Sequence, residues 1–68
     1  MFSMRLAHAD HVRHYSIAPA ASGWEVRCEE DNTLRRLDHY DDWHRVERAL
    51  QVFKLEVSRL FESGWRLA

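Results

Sequence analysis

One cysteine, one proline and two glycines are spread through 68 residues. The lone Cys28 excludes an intrachain disulfide framework and a cysteine-rich structural zinc site. No apolar run approaches the length of a membrane span. The opening Met1-Phe2-Ser3-Met4-Arg5-Leu6-Ala7 has no long apolar stretch of the kind a secretory signal needs, so the expected setting is the cytoplasm. Charge of one sign is also missing: ten Lys+Arg stand against eleven Asp+Glu, a net charge of −1. That balance argues against nucleic-acid binding driven by bulk charge. There is no glycine-rich phosphate loop, no His-Glu zinc-protease signature, no internal repeat and no linker. A chain this short supports one small domain with a thin stability margin, and there is no room for separate cofactor and substrate domains.

Hydrophobic patterning predicts an α+β domain. In the segment from His11 to Ala18, Tyr15 and Ile17 carry the aromatic and β-branched character that strands favour. Pro19 to Gly23 reads as a loop. Trp24, Val26 and Cys28 then alternate with Glu25, Arg27 and Glu29, the pattern of a half-buried strand with one charged face. Asp31-Asn32 is a turn signal, because both residues tolerate left-handed backbone. Thr33 to Tyr40 predicts a third strand, in which Leu34 and Leu37 fall on opposite faces unless a bulge intervenes. The expected architecture is a three-stranded antiparallel meander followed by one long C-terminal helix packed on one face. Residues 1–11 are expected to form a loosely ordered N-terminal arm, and residues 12–68 a single β-β-β-α domain.

The helical pattern runs from about Asp42 to Ser63. Trp43, Val46, Leu50, Phe53, Val57 and Leu60 recur at steps of three and four, forming one apolar stripe. Asp41-Asp42 supplies an N-cap, and Gly64 sits where a Schellman ending would let Trp65 fold back over Leu60. Tyr15, Ile17, Trp24, Val26, Trp43, Val46, Leu50, Phe53 and Val57 are the expected core. A helix of about 20 residues spans ~30 Å, longer than a sheet of six-residue strands at ~20 Å, so something else should cover the overhang. Val52 and Leu55 lie off the main stripe among charged residues. With Phe61 and Trp65 they are the candidate contacts for a second copy or a small protein partner.

Other clusters admit other chemistry. His8, His11 and His14, with Asp10 between the first two, are candidate ligands for a divalent metal, although their spacing matches no specific motif. Solvated or hydrogen-bonding histidines account for the same residues. Arg45, Arg48 and Arg59 project to one helix flank and are candidates for phosphate contact; interleaved Glu47, Glu56 and Glu62 suit a salt-bridged surface instead. Cys28, in phase with Trp24 and Val26, reads as a small buried hydrophobe rather than a catalytic thiolate. No cofactor is implied, and no nucleophile-base-orienter set is visible.

Tyr15-Ser16-Ile17, Gly23-Trp24-Glu25-Val26 and the Tyr40-Asp41 step before the helix resemble small bacterial proteins of uncharacterised function that fold as a β-meander followed by one helix. The similarity covers about residues 13 to 60 and its motifs are structural. The order of elements also resembles the HicB-type antitoxin domain, which implies a small toxin as partner. Together these features point to a small, non-catalytic cytoplasmic interaction module that self-associates, most simply as a homodimer. A metal-binding protein using the N-terminal histidines and a nucleic-acid-binding accessory protein are the alternatives.

Overall fold

Polar turns divide the first forty residues into four strands in the computed structural model, which describes residues 2–68. β1 (Phe2–His8), β2 (His11–Ala20), β3 (Gly23–Glu30) and β4 (Thr33–Tyr40) form consecutive antiparallel hairpins. After the helix a two-residue β5 (Arg66–Leu67) pairs with β1. The spatial order is β4-β3-β2-β1-β5. The α+β class and the meander agree with the sequence pattern, but the strand count is higher than three.

The extra strand lies in the segment expected to be a loose arm. Phe2 pairs with Ile17 at one end of β1 and His8 with His11 at the other. Phe2, Met4 and Leu6 alternate with Ser3, Arg5 and Ala7, and Leu6 is fully buried, so this segment carries a core face of its own. Met1 lies outside the described residues.

The turns follow local chemistry. Asp31 and Asn32 adopt φ of 53° and 65°, the left-handed pair a two-residue hairpin turn requires. Ala9 adopts φ 52° at the β1–β2 turn, where the sequence carries no such signal. On β4, Cys28 faces Arg36 while Glu29 faces Leu34, so Arg35 is the extra residue of a bulge. The bulge brings Leu34 and Leu37 to one side of the sheet. That side is the solvent face shared with Arg27 and Glu29, and both leucines are about half exposed.

α1 (Trp43–Glu62) begins at N-cap Asp42, whose side chain accepts from the His44 amide at 3.0 Å. It ends as expected: Trp65 N donates to Leu60 O at 2.9 Å and Gly64 N to Phe61 O at 3.1 Å, with Gly64 at φ +100°. This is the paired bonding of a Schellman motif. Val46, Ala49, Phe53 and Val57 of the helix pack on Leu6, Tyr15, Ile17, Val26 and Cys28 of the sheet. Trp24 and Leu50 are only partly buried, and Trp43 stands at the rim, its ring edge-on to Trp24 with centroids 5.0 Å apart.

No overhang remains for a partner to cover. Strands of seven to ten residues reach ~23 to ~33 Å, comparable to the helix. Phe2, Met4 and Trp65 pack against the core, with the Phe2 ring centroid 6.4 Å from that of Phe53 at the middle of α1. The opposite sheet face carries Arg5, His14, Arg27, Glu29, Leu37 and His39, and no helix packs on it among the described residues.

Candidate interaction surface at the free edge

β4 closes one side of the sheet, and among the described residues nothing pairs with its outer edge. On the other side β5 covers β1 only at Leu6 and Ala7, with Ala68 N donating to Arg5 O, so the open stretch there is the short Phe2–Met4 end of β1 among the described residues. Along the eight-residue β4, alternate residues bond to β3 and the others turn their N–H and C=O groups outward, where nothing among the described residues pairs with them. Natural sheets usually blunt such an edge with proline, charge, a bulge or a covering segment. Here there is no proline. The bulge lies at Arg35, and Arg36 through Tyr40 continue in regular register beyond it.

The space between β4 and α1 is lined by cations. A groove of about 320 Å³ is bounded by Arg36, Tyr40, Arg45, Arg48, Ala49 and Val52. An adjoining cleft of about 180 Å³ is bounded by Arg13, Cys28, Arg35, Arg36, Phe53 and Glu56. Arg36 joins the two. Its guanidinium lies over the Phe53 ring, 5.5 Å from the centroid, and donates to Asp38 Oδ2 at 2.6 Å and to the Tyr40 hydroxyl at 3.3 Å. Arg13 donates through Nε to Glu30 Oε1 at 2.9 Å, and Arg35 donates to the same oxygen at 2.9 Å. Glu30 is consequently held below its ordinary pKa, chiefly by the bond from Arg13. The cleft thus contains three cations, each tied to a carboxylate, which is an ion-paired wall rather than an open anion receptor.

Cys28 lines that cleft but is buried, and burial pushes its thiol pKa up. A nucleophilic thiolate needs the opposite shift. Cys28 fits the small buried hydrophobe its phase on β3 suggests.

The four residues proposed as interface from the sequence do not share one surface. Val52, about half exposed, lines the β4-side groove, and Leu55 is still more exposed along the helix. Phe61 lies on the other flank, in a recess with Phe2, Met4, Lys54, Val57 and Ser58. Trp65 is half-buried, stacked on His8 with centroids 5.6 Å apart and covered by the Arg13 guanidinium at 5.5 Å. Of the arginines, Arg45 and Arg48 meet at the groove with Arg36, while Arg59 does not line it.

The N-terminal histidines are likewise separated by their partners. His8 stacks on Trp65, His11 Nδ1 donates to Asp31 Oδ2 at 2.7 Å, and His14 Nε2 lies 3.0 Å from Ser3 Oγ. Successive residues of a strand point to opposite faces, which places His14 across the sheet from His11. The grouping that does form is His11, Glu30 and Asp31, with one ligand atom from each within 4.8 Å of the others. Consecutive hairpins bring the Ala9-Asp10 and Asp31-Asn32 turns to the same end of the sheet, a proximity that histidine spacing alone does not reveal. Glu30 is already engaged by two arginines and Asp31 by His11 and the Val12 amide, so these donors are occupied by protein partners.

No helix among the described residues is long and apolar enough to cross a membrane. Comparison with protein-family models, curated proteins and solved structures finds no match to this chain.

Proposed function

We propose that this protein is a small, non-catalytic interaction module that works by self-association, and that a second chain attaches at β4. The observation that carries this is the eight-residue outer edge of β4, unpaired among the described residues. Exposed Leu34 and Leu37 flank it on one sheet face and exposed Val52 on the other. Each backbone hydrogen bond gained along such an edge adds a net ~0.5 to 1.5 kcal/mol. Fully burying an exposed aliphatic side chain adds about 1.5 to 3 kcal/mol. For a domain of 68 residues with a thin margin, such sums compare with its whole stability. The non-catalytic part of the proposal draws support from Cys28, whose thiol is shifted away from reactivity, and from the adjoining cleft, where Arg13, Arg35 and Arg36 are each paired with a carboxylate.

Sedimentation equilibrium near pH 7.5 tests it directly. A dimer whose population rises with protein concentration is expected. A monomer throughout the accessible range overturns the proposal and leaves β4 to a different protein.

A further inference from the structure

Arg36, Leu37 and Asp38 occupy the middle of the free β4 edge. Cross-strand partners identify their faces: Arg36 sits opposite Cys28 and Asp38 opposite Val26, both on the helix side, while Leu37 sits opposite Arg27 on the open side. An antiparallel second copy that continues the sheet is related to the first by a two-fold axis normal to it. That symmetry keeps helix-side residues opposite helix-side residues, so the axis passes through a residue rather than between two.

We infer that two copies join β4 to β4 antiparallel about an axis at Leu37, deepening the self-association proposal on which the inference rests. In this register Arg36 of each copy faces Asp38 of the other on the helix side. The two Leu37 side chains meet on the open side. The neighbouring registers are worse for a plain reason: centring on Arg36 sets arginine against arginine at the axis, and centring on Asp38 sets aspartate against aspartate. Opposite charges directly across an antiparallel pair stabilise it and like charges destabilise it, so the sequence Arg-Leu-Asp selects one alignment. The groups are already poised. Arg36 holds Asp38 within its own chain at 2.6 Å, with both side chains partly exposed, and a second copy completes an alternating square of two guanidiniums and two carboxylates. The assembly would be a continuous sheet of ten strands, twice the five of one chain, with both helices on one side.

Charge reversal and cross-linking test this register. Asp38→Arg sets cation against cation at both pairs and should weaken the dimer about tenfold or more, while circular dichroism keeps its native form. Arg36→Asp combined with Asp38→Arg restores complementarity and should restore association. Because Arg36 also contacts Phe53, a second measurement leaves the charges alone. Leu37→Cys places two thiols across the axis, with Cβ atoms ~4.5 to 5.5 Å apart, and should yield a disulfide-linked dimer under mild oxidation. Glu25→Cys, on the open face of β3 and offset from the axis both across and along the strands, lies ~20 Å from its symmetry mate and should not. A wild-type dimer that ignores Asp38→Arg, or that fails to cross-link through Leu37→Cys, overturns the β4 register and leaves self-association standing on another surface. A wild-type chain that stays monomeric, together with a Leu37→Cys variant that does not cross-link, overturns both.

Discussion

The hydroxyl of Tyr15 on β2 donates to Glu56 Oε2 on α1 at 2.9 Å and accepts from Arg13 Nη1 at 3.3 Å. The Tyr15 ring is buried against Phe53 with centroids 4.7 Å apart. One side chain therefore fills the core between sheet and helix and carries a polar tie to the edge of that core. Apolar packing alone would allow the helix to slide over the strands; the Tyr15–Glu56 bond fixes where it rests.

This arrangement predicts a loss of stability in alkali. Burial pushes the Tyr15 phenol up to about 12, with the nearby Glu56 adding and Arg13 opposing. The fold favours neutral Tyr15, so its contribution is complete below the ordinary value of 10 and is lost as pH rises through about 12. Tyr15→Phe should cost about 1 to 2 kcal/mol at neutral pH, because Glu56 loses its donor. The same variant should flatten the decline in stability between pH 10 and about 12, the two values that bound the titration. Urea unfolding at both ends of that window checks it; an equal alkaline loss in both proteins would assign the effect elsewhere.

A second titration lies at the turn end of the sheet. The Asp31 hydrogen bond, with its charge, raises the His11 pKa above 6.5, and the same bond lowers Asp31 below 3.8. The raised histidine contributes stability that is complete below 6.5 and lost as pH climbs through its folded value. The lowered aspartate contributes stability that is present above 3.8 and lost as pH falls through its folded value. Both contributions coexist between those two ordinary values, so the latch between the β1–β2 and β3–β4 turns is tightest in mild acid. NMR titration should place His11 above 6.5, and Asp31→Asn should return it toward 6.5. An unchanged His11 titration in that variant would show that the pair does not persist in solution.

Which parts of this molecule were legible in the sequence follows from how local their causes are. The helix, its Asp42 cap and the Gly64 ending depend on residues within a few positions of one another, and the structure has them where the spacing put them. Asp31-Asn32 announces its own turn. β1 was missed because it lies between a terminus and an Ala9-Asp10 turn without glycine or asparagine, and only Leu6 beneath the helix shows that Phe2 to His8 carries a core face. That omission produced the apparent helix overhang. The His11–Asp31 pair and the Arg36–Phe53 contact join residues about twenty apart; they appear only once strand order and register are known. The self-complementary Arg36-Leu37-Asp38 edge needs the bulge at Arg35, which sets the faces of its three residues.

The tighter of the two glycine sites gives the last expectation. Gly23 opens β3 at φ +108°, and a Cβ there would lie 2.2 Å from the Tyr40 carbonyl oxygen and 2.9 Å from the Asp41 Cα. Those atoms are backbone, and they belong to the segment that turns β4 into the N-terminus of α1. No rotamer change relieves the clash, so the entry to the helix must move with it. Gly64 has a similar φ of +100°, but its nearest neighbours are His8 ring atoms at 3.3 and 3.4 Å, which a small ring shift can accommodate. Gly64→Ala should therefore cost about 1 to 2 kcal/mol, the conformational strain alone. Gly23→Ala should cost that strain plus the displacement of the β4–α1 junction, on the order of 3 kcal/mol or more. Denaturant midpoints of the two variants, compared at equal protein concentration, settle the order; a Gly64 variant weaker than the Gly23 variant would mean that the β4–α1 junction yields more easily than its backbone contacts imply.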